Sequence, residues 1–197
     1  MMKIRGFIEG FYNRKPKKND YSFKNTNITH YIYAPKEDAY IRKKWRIEDK
    51  SLEARSIPKN IAQVYTLSPG ADFNRKSKKD FNFLLSKFNF AIDKGFSEVG
   101  LLFDDIDINN IGIESDDKDL GRFHGELISE VTTKMGLSNG WICPSIYCES
   151  FSKKGIQNDK YLEGVSETIN NDLFFLWTGP KVISDFISQD HLKELGQ

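Results

Sequence analysis

Apolar residues gather along this chain in six short runs, most of them ending in Gly, Pro or an acidic residue. The runs are "KIRGFIEG" from Lys3, "HYIYAP" from His30, "AQVYTLSPG" from Ala62, "EVGLLFDD" from Glu98, "GWICPSIY" from Gly140 and "DLFFLWTGP" from Asp172. Each is rich in Ile, Val, Phe, Tyr or Leu and too short for a helix, which predicts six strands. Between the later runs the apolar spacing changes to a helical one. "SKKDFNFLLSKFNFAIDKG" predicts a helix with Ser77 as N-cap and Gly95 as its stop. "DLGRFHGELISEVTTKMG" repeats the pattern and stops at Gly136, and "NDKYLEGVSETIN" is a weaker third helix. Strands alternating with helices imply parallel pairing through right-handed crossovers. Near-continuous apolar strands fit a sheet buried on both faces. Two connections are thin: residues 13–29 show little apolar periodicity, and residues 37–61, broken by Pro58, have room for about one short helix. No repeat or low-complexity linker divides the chain, so residues 1–197 read as a single domain.

In a parallel α/β protein, ligands collect at the carboxyl ends of the strands. Those ends here carry Glu9, Gly10, Phe11 and Tyr12, then Pro35, Lys36 and Glu37, then Ser68, Pro69 and Gly70. Asp104, Asp105 and Asp107 follow, then Tyr147, then Thr178, Gly179 and Lys181. The adjacent pair Asp104 and Asp105, at the mouth of an apolar strand, is the sharpest signal, because close like charges repel and each must be solvated or hydrogen-bonded to stay ionised. Three readings are open. One aspartate caps the next turn while the other is solvated. Alternatively, Asp104, Asp105, Asp107 and Asn109 hold a divalent cation, although the spacing lacks the glycine and glutamate of an EF-hand loop. The third is a pair of carboxylates in unlike environments, suited to cleaving a glycosidic bond.

Composition narrows the partners. The formal net charge of +1 supplies no field toward nucleic acid or an anionic membrane, and the basic run "NRKPKK" at Asn13–Lys18 reads as a solvated loop. No window approaches the roughly 18 apolar residues of a membrane span. The first residues lack the apolar core and cleavage site of a secretory signal, which predicts a cytoplasmic protein. Cys143 and Cys148, in C-x4-C spacing with three scattered histidines, form neither a redox pair nor a zinc set and are expected as reduced thiols. Glycine-rich phosphate loops are absent, so no nucleotide cofactor is expected, and no residue is assigned to a metal.

The motifs "GFIEGFY", "YIYAPKED", "YTLSPGADF", "LLFDDID", "CPSIYC" and "LWTGPKV" occur in an order that resembles glycoside hydrolase family 84, from about Lys3 to Ser184. These are β-N-acetylglucosaminidases of the O-GlcNAcase and bacterial hyaluronidase type. The resemblance implies a (β/α)8 TIM-type barrel that removes β-linked N-acetylglucosamine from glycoproteins or glycans with retention. It also implies substrate assistance, in which the sugar's own 2-acetamido oxygen attacks the anomeric carbon to give an oxazoline, an exception to the two-carboxylate scheme. Carried over by motif, Asp104 orients and polarises the acetamido group, while Asp105 protonates the leaving oxygen and then activates water. Gly10 and Lys36 bind sugar hydroxyls, Tyr12 lies on the same strand end, and Tyr147 bonds near the acetamido group. Trp177 and Val182 line the site, a core role for Trp177 being an equal alternative.

The chain departs from that pattern. Tyr12 is followed by Asn13, Arg14 and Lys15 rather than Gly-Arg-Pro-Trp, and Ile146 replaces a Glu of the fifth motif. The first two crossovers are short. A closed barrel needs about 250 residues, whereas the last residues, "SQDHLKELGQ", fall in the crossover after strand six, so about six βα units are expected and the last two strands are missing. The chain therefore reads as a fragment, a split or decayed relative, or a minimal form, with N-acetylglucosamine binding or partner packing as the non-catalytic alternative. If the chain is the whole gene product, its open sheet edges predict self-association, or poor solubility, with weak or no hydrolysis.

Overall fold

The computed structural model describes residues 4–10, 23, 26–54, 56–69, 72–104, 117–169 and 173–196. All six runs are strands: β1 (Gly6–Glu9), β2 (His30–Tyr33), β3 (Ala62–Leu67), β4 (Glu98–Leu102), β5 (Gly140–Cys143) and β6 (Leu173–Phe175). They form one sheet in the order β1-β2-β3-β4-β5-β6. The pairs β1/β2, β2/β3 and β5/β6 are parallel. Sequential order with parallel pairing is the plan of a (β/α)8 barrel over its first six strands. The fold class is α/β, an incomplete TIM-type barrel.

The described residues within Met1–Pro69 and Phe73–Gly100 form one compact unit, and those within Gly70–Asp72 and Leu101–Gln197 a second. In the first, register puts Glu9, Tyr33 and Tyr65 side by side across β1, β2 and β3. Helix α1 (Lys78–Asp93) follows β3, opened by Ser77, whose hydroxyl accepts from Asp80 N at 3.2 Å; an alanine there would cost about 1 kcal/mol. Its buried Leu84, Phe88 and Ala91 belong to the core with Val64, Leu67 and Phe96, each large side chain contributing about 1.5–3 kcal/mol.

The segment from residue 37 to 61 holds no helix among its described residues, only turns. Tertiary contacts override local propensity there. Asp38 Oδ1 accepts from Tyr40 N at 2.8 Å, closing an Asx turn. Trp45, only 1% exposed, anchors the segment. Arg46 stacks on the Trp45 ring and reaches α1 through a two-point bond to Asp80, at 3.1 and 2.6 Å.

In the second unit, α2 (Lys118–Met135) begins at Asp117, which accepts from Leu120 N, and ends at Gly136 in the left-handed region, φ 65°. The short α3 (Lys160–Ser166) begins at Asp159. These two helices meet almost backbone to backbone: a Cβ on Gly164 would lie 2.1 Å from the Lys118 carbonyl, and one on Gly121 only 2.0 Å from the Tyr161 carbonyl. A rim of charge borders that contact. Lys118 bonds both Glu163 and Glu167, and Arg122 also reaches Glu167. Lys118, first of all, holds the Glu163 carboxyl down at about 2. A fourth helix, α4 (Gln189–Leu195), lies where the apolar pattern marked none, capped by Ser188.

Candidate functional site

In the first unit, the end of β1 passes through the buried Glu9 to Gly10, where an added Cβ would meet nothing within 4 Å. Ala34 N bonds Glu9 O at 3.1 Å, so the segment leaving β2 is laid along that leaving β1. Lys36 sits inside a turn held at both ends. Asp38 N bonds Pro35 O at 3.0 Å, and the Tyr33 hydroxyl donates to Asp38 Oδ2 at 2.7 Å. Tyr33 is itself fixed by a near-parallel ring stack on Tyr65 at 5.8 Å. Burial, aided by Asp38 and Asp49, pushes the Tyr65 phenol upward, so it stays protonated. The turn thus presents a half-buried lysine whose backbone is constrained on both sides.

In the second unit, Phe103 extends β4 by one bond, its N–H donating to Cys143 O of β5 at 2.8 Å. The next residue is Asp104, partly buried and with its Oδ1 shielded from solvent. The Phe103 ring lies flat on His124 of α2, centroids 3.7 Å apart and planes 4° off parallel. His124 Nδ1 lies 2.8 Å from the Tyr161 hydroxyl, which also accepts from Ser145 N at 2.9 Å. That phenol is fully enclosed, and burial raises it above the ordinary tyrosine range. Its proton is therefore available to His124, while its lone pair serves Ser145 N–H. The residue before Asp104 is thereby clamped to α2, to α3 and to the segment after β5.

Tyr147 lies on that same segment. Its carbonyl accepts from Thr178 N at 2.9 Å, and its ring meets Phe151 edge-on at 5.0 Å. Further backbone bonds, Glu149 N to Gly179 O and Ser150 N to Pro180 O, both 3.0 Å, bind the segments after β5 and β6 together. Gly179 takes φ 92°, and a Cβ there would sit 2.7 Å from Ile187, so only glycine fits this crossing. Trp177 is half-buried, and its indole N–H donates to His191 Nε2 at 2.8 Å. Val182 is 44% exposed and lies beside Ile183 at 85%, with Phe186 at 76% nearby.

The structure thus places Asp104, Tyr147, Trp177 and Val182 in one unit, and Gly10 and Lys36 in the other. Tyr12 and Asp105 lie outside the described residues. Ile146, which replaces an expected glutamate, is 2% exposed and belongs to the core. Among the described residues no group of three or more His, Cys, Asp or Glu is placed to hold a metal. Both cysteines are thiols, Cys148 Sγ lying 3.3 Å from Ser150 Oγ. No described helix is long and apolar enough to cross a membrane. Motif reading missed His124, Tyr161, Glu149 and His191. One signal was present: His124 falls at helical spacing among Leu120, Leu127, Ile128 and Val131, where a polar ring must find a buried partner.

Comparison with known proteins bears on this arrangement. The model of a family described as beta-N-acetylglucosaminidase matches residues 5–197. The chain is 28% identical over 207 residues to protein O-GlcNAcase of Rattus norvegicus and, equally, of Mus musculus, covering 98% of this chain and 23% of each relative. Among solved structures it is similar to a mutant O-GlcNAc hydrolase of Thermobaculum terrenum, with TM-score 0.80, 23% identity, and 98% of this chain against 44% of that one covered. It is also similar to CpGH84B, with TM-score 0.78, 23% identity and coverage of 98% and 36%. The chain spans about a quarter of the length of those curated relatives.

Proposed function

The chain belongs to the β-N-acetylglucosaminidase family, and from that premise we propose that it hydrolyses terminal β-linked N-acetylglucosamine from glycoproteins or glycans with retention. The observation that carries the reading is Asp104 at the end of the buried strand β4, immediately after a phenylalanine locked by a flat stack on His124. A carboxylate held this way acts without rearranging, which is how positioned charge is most effective. The proposed chemistry is substrate-assisted. Asp104 orients the acetamido group and polarises it while its oxygen closes on the anomeric carbon. Asp105 gives its proton to the leaving oxygen, then takes one from the water that opens the oxazoline. Acid–base help of this kind is worth about 10²–10⁴ in rate. Gly10, Tyr12 and Lys36 are assigned to sugar contacts, Tyr147 to the acetamido side, and Trp177 and Val182 to the lining. No cofactor enters the scheme.

Release of 4-nitrophenol from its β-N-acetylglucosaminide tests the assignment. Asp105→Asn is expected to lower kcat by about 10² or more; equal rates for variant and parent would overturn it. A second reading has its own support, since Ile146 occupies with a core side chain a position expected to carry glutamate. In that reading the chain binds N-acetylglucosamine without turnover, or serves as a packing module that self-associates through β1 and β6, the outer strands of the sheet order. Titration with an acetamido-thiazoline mimic separates these cases: tight binding without hydrolysis supports the binding module, and no binding leaves the packing role.

A further inference from the structure

His191 is the third histidine of the chain and the one on α4, where the strand and motif patterns assigned nothing. Its ring is buried, yet both nitrogens are engaged by segments that follow different strands. The Trp177 indole, from the segment after β6, can only donate, so His191 Nε2 must accept its proton at 2.8 Å and carry none itself. The ring proton of the neutral imidazole is then on Nδ1, which faces Glu149 Oε2, from the segment after β5, at 3.4 Å. The two rings also lie near-parallel, 27° apart with centroids at 6.0 Å. We propose that His191 is a positioning residue that fixes the Trp177 indole and ties it to Glu149, holding the segments that carry Tyr147 and Val182 in one register.

Without an acceptor on His191 the Trp177 indole must swing or lose its partner. Among the described residues, the charged group facing the ring from the segment after β5 is Glu149. On α4 itself, Asp190 and Lys193 pair with each other at 2.9 Å, and Glu194 turns its carbonyl to Gln157.

The part of this inference that concerns sugar binding rests on the proposed function; the clamp does not. The chain has three tryptophans, so subtracting the emission of Trp177→Phe isolates Trp177. That difference spectrum, recorded at pH 8, is expected to shift in His191→Leu, which leaves the indole without its acceptor. His191→Gln presents an acceptor and a donor, and its spectrum is expected to match the parent's. Affinity for the thiazoline mimic at pH 8 should fall about fivefold in His191→Leu and return to within about twofold in His191→Gln. A glutamine variant whose emission departs from the parent's overturns the proposal, even if the leucine variant fails to fold. A leucine variant with parental emission overturns it as well. If the parent itself does not bind the mimic, the sugar-binding reading falls, and the emission arms still decide the clamp.

Discussion

Replacing Tyr161 by Phe isolates the bonds that hold Phe103, and with it Asp104, in place. The change removes one oxygen and leaves the ring, so it opens almost no cavity, and the measured loss is that of the hydroxyl's two bonds. Those bonds run to His124 Nδ1 at 2.8 Å and from Ser145 N at 2.9 Å. Neutral hydrogen bonds are worth about 0.5–1.5 kcal/mol net, and a buried donor left without a partner costs about 1–3 kcal/mol. His124 is buried, so water does not replace the lost phenol without disturbing the packing. The sum is a destabilisation of about 2–4 kcal/mol, a large share of a domain's total of about 5–15 kcal/mol. Urea unfolding followed by circular dichroism reads it directly, with the midpoint falling and the slope unchanged. The same experiment on His124→Phe and on the double variant closes a cycle, and a coupling energy of about 1 kcal/mol or more is expected for groups in direct contact. A loss under about 0.5 kcal/mol in Tyr161→Phe would refute the reasoning, because a surface phenol behaves that way and an enclosed one does not.

Three further outcomes follow from the packing and charge around the two units. Gly164→Ala pushes a methyl against the Lys118 carbonyl at 2.1 Å, and overpacking of about 1–3 kcal/mol outweighs the ~1 kcal/mol gained in helix propensity; the melting temperature should fall by about 2–8 °C, and a rise would contradict the contact. Asp80→Asn, which breaks the two-point bond from Arg46, should cost about 2 kcal/mol in urea unfolding. The Arg46 bond, first among the causes, lowers the Asp80 carboxyl below its ordinary value. Its contribution is therefore complete above about pH 4 and lost as the pH falls through the depressed value, so parent and variant stabilities should converge in acid, and a constant gap would refute the assignment. Glu163, held down at about 2 chiefly by Lys118, behaves the same way on the rim of α2 and α3. Glu163→Gln should flatten the acid limb between about pH 4 and pH 2, and the difference should shrink toward about 1 M salt; a salt-independent difference would show that the pairing is not electrostatic.

Much of this architecture is legible in the order of apolar residues. The strands are nearly uninterrupted runs, and β4, buried at all but Glu98, is where such a run leaves least ambiguity. Helices α1 and α2 announce themselves through Ser77, Gly95 and Gly136 as well as through spacing. Helix α4 does not, because only His191 of its seven residues is buried and no apolar stripe can form. The turns after Lys36 are illegible for a different reason: their anchors act at a distance along the chain, Trp45 by packing on Phe73 and Arg46 by bonding Asp80. Asp104 was visible as a carboxylate ending an apolar strand. The His124–Tyr161–Ser145 set behind it was not, since its members stand far apart in the chain and meet only when α2 and α3 pack together.

The bonds joining the segments after β5 and β6 make those two stretches one heritable piece. Tyr147 to Thr178, Glu149 to Gly179 and Ser150 to Pro180 continue a ladder past the strands' ends, and Gly179 stands at its tightest point. A chimera that imports only one of the two stretches from a relative would receive half a ladder, with donors and carbonyls out of step. Exchange should therefore succeed only when residues 143–152 and 176–188 travel as a cassette. Divergence within the family would be constrained in the same way, with an insertion on one side viable only beside a matching change on the other.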